Sequence, residues 1–544
     1  MVAMKTANKT QTKGSEMQTT DDFSFNLLDN PWLPVVTLKG EKEFLSVNEF
    51  LNKAHEFERF DFPLPGLETA VIRFFVALVH IVGAPETLKD WENSLLAGKF
   101  DKKFSKDLNE QYYDKFDLFS KTEPFMQEKK IDEKFIKPLS KLIDEFPSGN
   151  NSVHFATKEL KSNITKDVIG VAPAIAATLI LYSQMTPRSG LGGFLSGVIN
   201  AKTPYYILLQ GKNLFESITL NVLHNQGLQS IADNATIGIP KDGWIKIFKG
   251  NVLPNKIRIQ DGLLWSSRII KLIPQKVADL ECSISGRKSS ILIRKIFYSP
   301  QQAQVTARWE DPFNGLNQIK NEVKKISPNG KNLPAWKDYP AFIFSERNEE
   351  KKSSILRPKI LERVLNSKQR QKFSIKLFVF GVSTKQDKVF QASEYTFPFN
   401  PNFIESEEIK TVIKYFVVET SQFESVLKTA LIKSLIKKSD NLNGDRKRKV
   451  ISNITNLFQS AYWYEIGSNF EESLNRLSDK EDSNLILIEW REMLAEHVRK
   501  AFRNHTEKLI ANPKNLKQYE NGRKYLERMI YAKLLFHKKN KENK

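Results

Sequence analysis

The chain has 544 residues, 40% of them hydrophobic and 27% charged, room for roughly two to four domains with a sizeable core. Its formal net charge of +20 favours a polyanionic partner, with nucleic acid ahead of simple solubility. A lone cysteine, Cys282, excludes an internal disulfide framework and a thiolate zinc site and fits a reducing, cytoplasmic compartment.

Residues 1–22 are polar and rich in Lys, Thr and Gln, so a disordered tail is expected. The tail has no apolar core of the kind a secretory signal needs, and Met4 and Met17 compete with Met1 as the start. Ordered structure is predicted from Phe25, with a short strand pair (35–38 and 43–45) across Gly40. Residues 67–82 are apolar nearly all round, as in a helix inside a large core. The most apolar runs, 69–84 and 168–182, both fall short of the roughly 20 residues that span a bilayer, and the first contains Arg73 and His80. A second buried helix, 172–185, ends at Thr186-Pro-Arg-Ser-Gly-Leu-Gly-Gly-Phe194, which cannot continue a helix.

Strand-like runs at 205–209, 291–297 and 341–344 then alternate with Pro and Gly punctuation, and 373–382 reads as one more buried strand. After Pro401 the period changes. Ile409, Val412, Ile413, Phe416 and Val417 begin an apolar stripe at three- and four-residue spacing, and similar stripes fill 451–474, 485–502 and 517–536. Breakers at Asn443-Gly444 and Asn512-Pro513 keep the connections short, which predicts an antiparallel four-helix bundle. The expected organisation is α+β: a tail (1–22), a large mixed N-terminal domain (23–402) and a C-terminal four-helix bundle (403–544), with no solenoid repeat.

Nothing in the pattern points to catalysis. There is no G-x-x-x-x-G-K-[ST] phosphate loop. Gly190-Leu-Gly192-Gly193 lacks the third glycine of a dinucleotide fingerprint, carries Leu195 there, and follows a helix instead of a strand. His497 and His505 share a helix without metal-site spacing, and Cys282 has no neighbouring His to activate it. The carboxylates form no pair that spacing alone marks as an acid/base couple.

Binding features carry more information. Glycines at 190, 192 and 193, beside Arg188, allow backbone amides close to a phosphate or a groove edge; a tight turn between packed helices explains them as well. Arg294 and Lys295 are adjacent on a strand, where alternation sends them to opposite faces, and an ordinary solvated strand edge reads the same. Ser383-Thr-Lys-Gln-Asp-Lys388 reads as a polar loop after a buried strand. The clusters 446–449, 437–438 and 538–539 put cations around the bundle, where they serve either phosphates or solvation.

The ordered set of motifs resembles the CasA family, the large subunit of type I-E CRISPR Cascade. Asn26-Leu-Leu-Asp-Asn-Pro-Trp-Leu-Pro34 looks like the family's N-terminal signature. Glu68, Gly83-Ala-Pro85, Glu123-Pro-Phe-Met-Gln127, residues 150–158, the glycine run, Trp309-Glu-Asp-Pro312 and Pro334-Ala-Trp336 follow in family order, and the helical C-terminus agrees. The resemblance covers essentially everything after the tail.

It implies a non-catalytic subunit that recognises the PAM beside a double-stranded target, promotes duplex opening and R-loop formation, and helps recruit a helicase-nuclease in antiviral defence, while guide-RNA pairing reads the target. By resemblance, Gly190, Gly192 and Gly193 approach the PAM minor groove, Lys295 with Arg294 beside it supplies the cation in that groove, and Gln386, flanked by Lys385, is the wedge that starts strand separation. His154, Phe155, Ala156 and Thr157 match the loop that meets the guide-RNA handle and neighbouring subunits. Partners are then the other Cascade subunits, the CRISPR guide RNA, the target duplex with its displaced strand, and the effector. Some family members carry paired cysteines suited to zinc; here only Cys282 remains, so neither a metal nor another cofactor is expected. Residues 200–202 replace a glycine-rich stretch, so PAM preference is expected to differ. The competing readings are a non-specific nucleic-acid-binding scaffold and a nuclease with an unrecognised site.

Overall fold

A computed structural model describes residues 23–129, 133–144, 169–186, 204–228, 244, 250–252, 257–300, 303–305, 309–320, 322–328, 333–350, 352–385, 388–436 and 444–542. The expected tail, 1–22, lies outside them.

The first element is a small antiparallel sheet in which β1 (Leu33–Thr37) lies between β2 (Lys42–Leu45) and β3 (Phe57–Phe60). The strand pair across Gly40 forms as expected, with the glycine at φ 85° in the turn; β3, only four residues long, gave no readable alternation. The signature Trp32 is buried, and its indole N–H donates to the Leu27 carbonyl at 3.1 Å.

Helix α1 (Leu67–Val82) is buried on nearly every side, as its all-round apolar sequence demands. It packs against α2 (Pro173–Met185), all thirteen residues of which are buried. Pro173 opens α2 in the first turn, where its missing N–H costs nothing. Gly66, just before α1, has φ 82°, and a Cβ there would lie 2.5 Å from the rings of Phe380 and Tyr182. Only glycine meets both conditions.

One charged pair sits at the centre of this packing. Arg73 on α1 meets Asp311 through two bonds, Nη1–Oδ1 at 3.0 Å and Nη2–Oδ2 at 2.8 Å, and both side chains are buried. The guanidinium lies between the rings of Tyr206 and Phe313, 4.9 Å from each. Burial pushes the Asp311 carboxyl up, but Arg73 overcomes that and holds it below the ordinary value.

Two further sheets follow. Strand β4 (Tyr206–Gln210) pairs with β7 (Ile375–Lys385), which pairs with β8 (Lys388–Phe399) in the order β8-β7-β4. Between them in sequence, the long hairpin of β5 (Arg268–Glu281) and β6 (Lys288–Pro300) takes the short strand Ile136–Pro138 on its β6 edge. A four-stranded antiparallel sheet covers 316–356. The run at 341–344, expected as a strand, belongs instead to the helix Tyr339–Ile343. Pro340 lies in the first turn of that helix, and a run of only apolar residues, Ala341-Phe-Ile-Phe344, lacks the polar positions that distinguish the two periods.

The C-terminal region is helical: α3 (Glu407–Leu435), α4 (Gly444–Ser478), α5 (Ser483–Ile510) and α6 (Leu516–Glu542). Side-chain oxygens of Ser406 and Asp482 cap α3 and α5. Inside, Arg491 on α5 binds Glu419 on α3 through bonds of 2.7–2.9 Å. Gly522 lets α6 cross α3 closely; a Cβ there would meet Ser434 Oγ at 1.8 Å. The bundle shares its core with the rest of the chain. Trp336 inserts among Trp463, Phe470 and Trp490, and its N–H donates to the Trp463 carbonyl at 3.1 Å. One hydrophobic cluster therefore runs from Leu27 to Ile530, and the fold is α+β, as the sequence predicts, with antiparallel sheets among the described residues apart from one parallel strand pair, Gly250–Val252 with Ala303–Val305.

Asp311→Asn should destabilise the chain by about 3–5 kcal/mol, because Arg73 is left charged and unpaired in the core. Arg73→Met combined with Asp311→Leu should recover most of that loss. Chemical denaturation of both variants checks this, and equal damage in the two would mean that the pair acts through packing alone.

Candidate nucleic-acid interface

Helix α2 is fastened at both ends. At its start Val171 exchanges backbone bonds of 3.0 and 2.9 Å with Ile293 on β6. At its end the Gln184 amide donates to the Arg268 carbonyl at 2.8 Å and accepts from the Arg268 N–H at 2.9 Å. Beyond Thr186 the chain enters 187–203, and it returns at Pro204 to form β4. The Tyr206 hydroxyl donates to the Met185 carbonyl at 2.8 Å, so the two ends of the glycine-bearing segment are tied to each other.

The same sheet carries the second candidate element. Tyr206, the first residue of β4, pairs with Phe380 of β7, and β7 runs on to Lys385, opposite Lys388 of β8. The polar stretch 383–388, expected as a loop, is therefore mostly strand, and only 386–387 separate the two strands. From Phe380 to Lys385 the strand advances about 17 Å at ordinary rise. The hairpin thus projects past the end of β4 at which the glycine segment re-enters.

Gly190, Gly192, Gly193, Gln386, His154, Phe155, Ala156 and Thr157 lie outside the described residues. Lys385 is the last residue of β7. Arg294 and Lys295 lie on β6, half-buried. Lys295 sits mid-sheet, opposite Ile273 on one side and Pro138 on the other. Arg294 has no opposite residue, because the register steps from Ile273–Lys295 to Pro274–Ile293. Pro274 has no N–H to give the ladder, and the bulge at Arg294 absorbs the mismatch. The simple alternation expected for this pair therefore fails at that position. The Arg294 Nη1 donates to Gln275 Oε1 at 3.0 Å, across the hairpin.

Another set of cations escaped the sequence reading. The β5–β6 turn, with Gly286 at φ 67°, forms one wall of a cleft of about 630 Å³. The β1–β2 sheet and the start of α2 complete it. Lys42, Arg287 and Lys288 line it beside Phe25, Phe44 and Phe62. Arg287 stacks over Phe44 at 3.9 Å, and Lys42 pairs with Asp61 at 2.7 Å. Gly286-Arg287-Lys288 was the available signal, a glycine turn carrying two cations. On the bundle, Arg446, Lys447, Arg448 and Lys449 are all exposed at the start of α4. His497 and His505 each turn Nδ1 toward the carbonyl four residues earlier, at 3.0 and 2.8 Å, within their own helix. Among the described residues no group of His, Cys, Asp or Glu converges to hold a metal, and no helix is long and apolar enough to cross a membrane.

A carboxylate pair stands near the root of the β7–β8 hairpin. Glu394 on β8 accepts from the Gly66 N–H at 2.6 Å. Close by, Glu68 keeps some solvent contact yet is densely surrounded, and burial, with repulsion from Glu394 second, raises its carboxyl to about 8. The folded chain therefore favours protonated Glu68. That contribution is complete below about pH 4.5 and is lost as pH climbs through about 8. Glu68→Gln should flatten the stability loss across this window and leave the protein more stable at its alkaline end. Urea midpoints at several pH values check this; a wild-type slope in the variant counts against it.

Comparison with known proteins adds a second line of evidence. A family model described as "CRISPR-associated protein Cse1" matches residues 26–501. A curated relative from Thermus thermophilus, "CRISPR-associated protein CasA/Cse1", is 34% identical over 211 residues, a match spanning 37% of this chain and 39% of that relative. Among solved structures, Cse1 from Acidimicrobium ferrooxidans superposes with a TM-score of 0.72 at 17% identity, over 94% of this chain and 98% of the other. Thermobifida fusca Cse1 gives 0.70 at 18% identity, over 94% and 97%. A chain from a structure titled "CRISPR RNA-guided surveillance complex" gives 0.62 at 16% identity, over 92% and 99%.

Proposed function

The chain belongs to the CRISPR-associated protein Cse1 family, and on that premise we propose that it is the non-catalytic large subunit of a Cascade-type surveillance complex in the cytoplasm. In this reading it recognises the PAM in double-stranded DNA, promotes duplex opening and R-loop formation, and helps to recruit the helicase-nuclease. Residues 23–402 serve as the PAM-reading and guide-handle domain, and 403–544 as the bundle. Its partners are the other Cascade subunits, the guide RNA, the target duplex and the displaced strand.

The supporting observation is the shared root of two segments. The ends of 187–203 are tied together through Tyr206 and Met185, and β4 lies beside the strand that leads to Gln386. Two segments joined to neighbouring strands of one sheet, one bearing the glycines and the other the Gln386 amide, suit a task that requires both at one DNA junction. Glycine admits the groove edge, Lys295 and Arg294 offer positive charge, and Gln386 enters the stack below the PAM. Unstacking costs a few kcal/mol, which phosphate contacts must offset. Those contacts make binding fall steeply with salt.

The test uses the assembled complex with guide RNA. Gln386→Ala should slow R-loop formation on intact duplex by roughly tenfold, a part of the unstacking cost. On a target already opened beside the PAM, the same variant should bind as the wild type does. Equal loss on the two substrates removes the wedge role. Affinity indifferent to the flanking motif favours the non-specific scaffold.

A further inference from the structure

Three buried arginines are paired with carboxylates, Arg73 with Asp311, Arg258 with Asp261 and Arg491 with Glu419, and a fourth, Arg268, donates to the Ser267 carbonyl. Arg363 is different. It lies on the short helix Lys359–Asn366, is 3% exposed, and stacks on the Trp91 ring at 4.0 Å. Nη2 donates to the Leu220 carbonyl, while Nε and Nη1 have no partner. Burial lowers its proton affinity, and no carboxylate among the described residues acts against that. A guanidinium nevertheless stays charged in a protein and offers five N–H donors. A buried charge without a counter-charge is strongly unfavourable.

Among the described residues, no carboxylate is hydrogen-bonded to Arg363 or forms an ion pair with it. His224, half-buried, has Nδ1 without a partner, and Arg363 presses on both His224 and His80. Burial first, then the Arg363 charge, lower both imidazoles, His80 to about 3, while Glu86 acts the other way on His224. The nearby carboxylates Glu86 and Glu92 hydrogen-bond to other groups. Glu86 accepts from Asn225 at 2.9 Å, and Glu92 accepts from Ser367 Oγ at 2.5 Å and the Lys368 N–H at 3.1 Å. Trp91 is fixed by its bond to the Thr219 carbonyl at 2.8 Å, so the stacking face under Arg363 is a fixed floor.

We propose that Arg363, together with the nearby His224, forms a binding site for one small oxyanion of the phosphate or sulfate type. An oxyanion accepts from the free guanidinium nitrogens and from a neutral imidazole, and it supplies the missing charge. Arg363 is too enclosed for the backbone of a nucleic acid to reach. The helix Lys359–Asn366 packs on β4, so a bound anion would brace the sheet from which the Gln386 hairpin projects. The site itself does not depend on the DNA-reading role.

Thermal unfolding of the full chain, with inorganic phosphate titrated at constant ionic strength against chloride, tests the proposal. The midpoint should rise with the logarithm of phosphate concentration. Arg363→Met should abolish the rise. Arg363→Lys keeps the charge without the planar fork and should weaken the response. His224→Asn, at a half-exposed position that spares the core, should weaken apparent affinity by roughly tenfold, about the worth of one hydrogen bond to a charged acceptor. Phosphate and sulfate no better than chloride, or wild-type responses in both Arg363→Lys and His224→Asn, would overturn the site. So would a rise seen only with a single-stranded oligonucleotide, which would place the effect on a surface polyanion patch.

Discussion

The buried pair of Arg73 and Asp311 is the constraint on which the rest of this structure depends. Asp311 also receives the Phe313 N–H at 3.1 Å, and Phe313 in turn accepts from the N–H of Ile207 on β4 at 2.9 Å. Asn314 donates to the Tyr205 carbonyl at 3.0 Å. One ion pair thereby fixes helix α1 against the loop that positions β4, and β4 sets the near end of the sheet carrying the β7–β8 hairpin. Its energetic role is specific: both partners together are tolerable in a dry core, while either one alone is not.

The second organising device is the way α2 is pinned. Its start is held to β6 beside Arg294 and its end to β5 at Arg268, so the long hairpin and the helix form one unit. The chain leaves that unit at Thr186 and returns at Pro204, just before β4. Trp336 does the equivalent job for the bundle. It inserts into the space between α4 and α5, and its N–H finds a carbonyl there. An aromatic anchor of that kind buries a large area with a satisfied polar tip, which favours one defined seat over a loose contact.

Much of the architecture was legible because it follows from period and composition. The stripes after Pro401 produced the four long helices, the all-apolar runs produced α1 and α2, and Gly40 marked its turn. Failures occurred where burial erased the polar half of the pattern. The run 341–344, most of it in the helix Tyr339–Ile343, read as a strand because all four of its residues are apolar. The stretch 383–388 read as a loop because its polar residues continue a strand beyond the sheet partner that buries its earlier part. Arg287 and Lys288 were passed over because a two-cation turn means little until β1, β2 and α2 enclose it. Arg363 gave no signal at all. A lone arginine on a short amphipathic helix looks solvated until Trp91 and Leu220 are brought over it from more than a hundred residues away.

Sequence alone determined the elements and their chemical inventory: which helices are buried, where glycine interrupts them, how much positive charge there is, and the order of motifs that marks the family. These are properties of neighbouring residues, and local propensity and periodicity suffice to read them. Tertiary structure decided which of those residues share a place. The tie from Tyr206 to Met185, the bulge that removes Arg294 from simple alternation, and the unpaired guanidinium of Arg363 all depend on chain segments far apart in sequence. No local pattern encodes such meetings, because they arise from packing whole elements against one another in a single core.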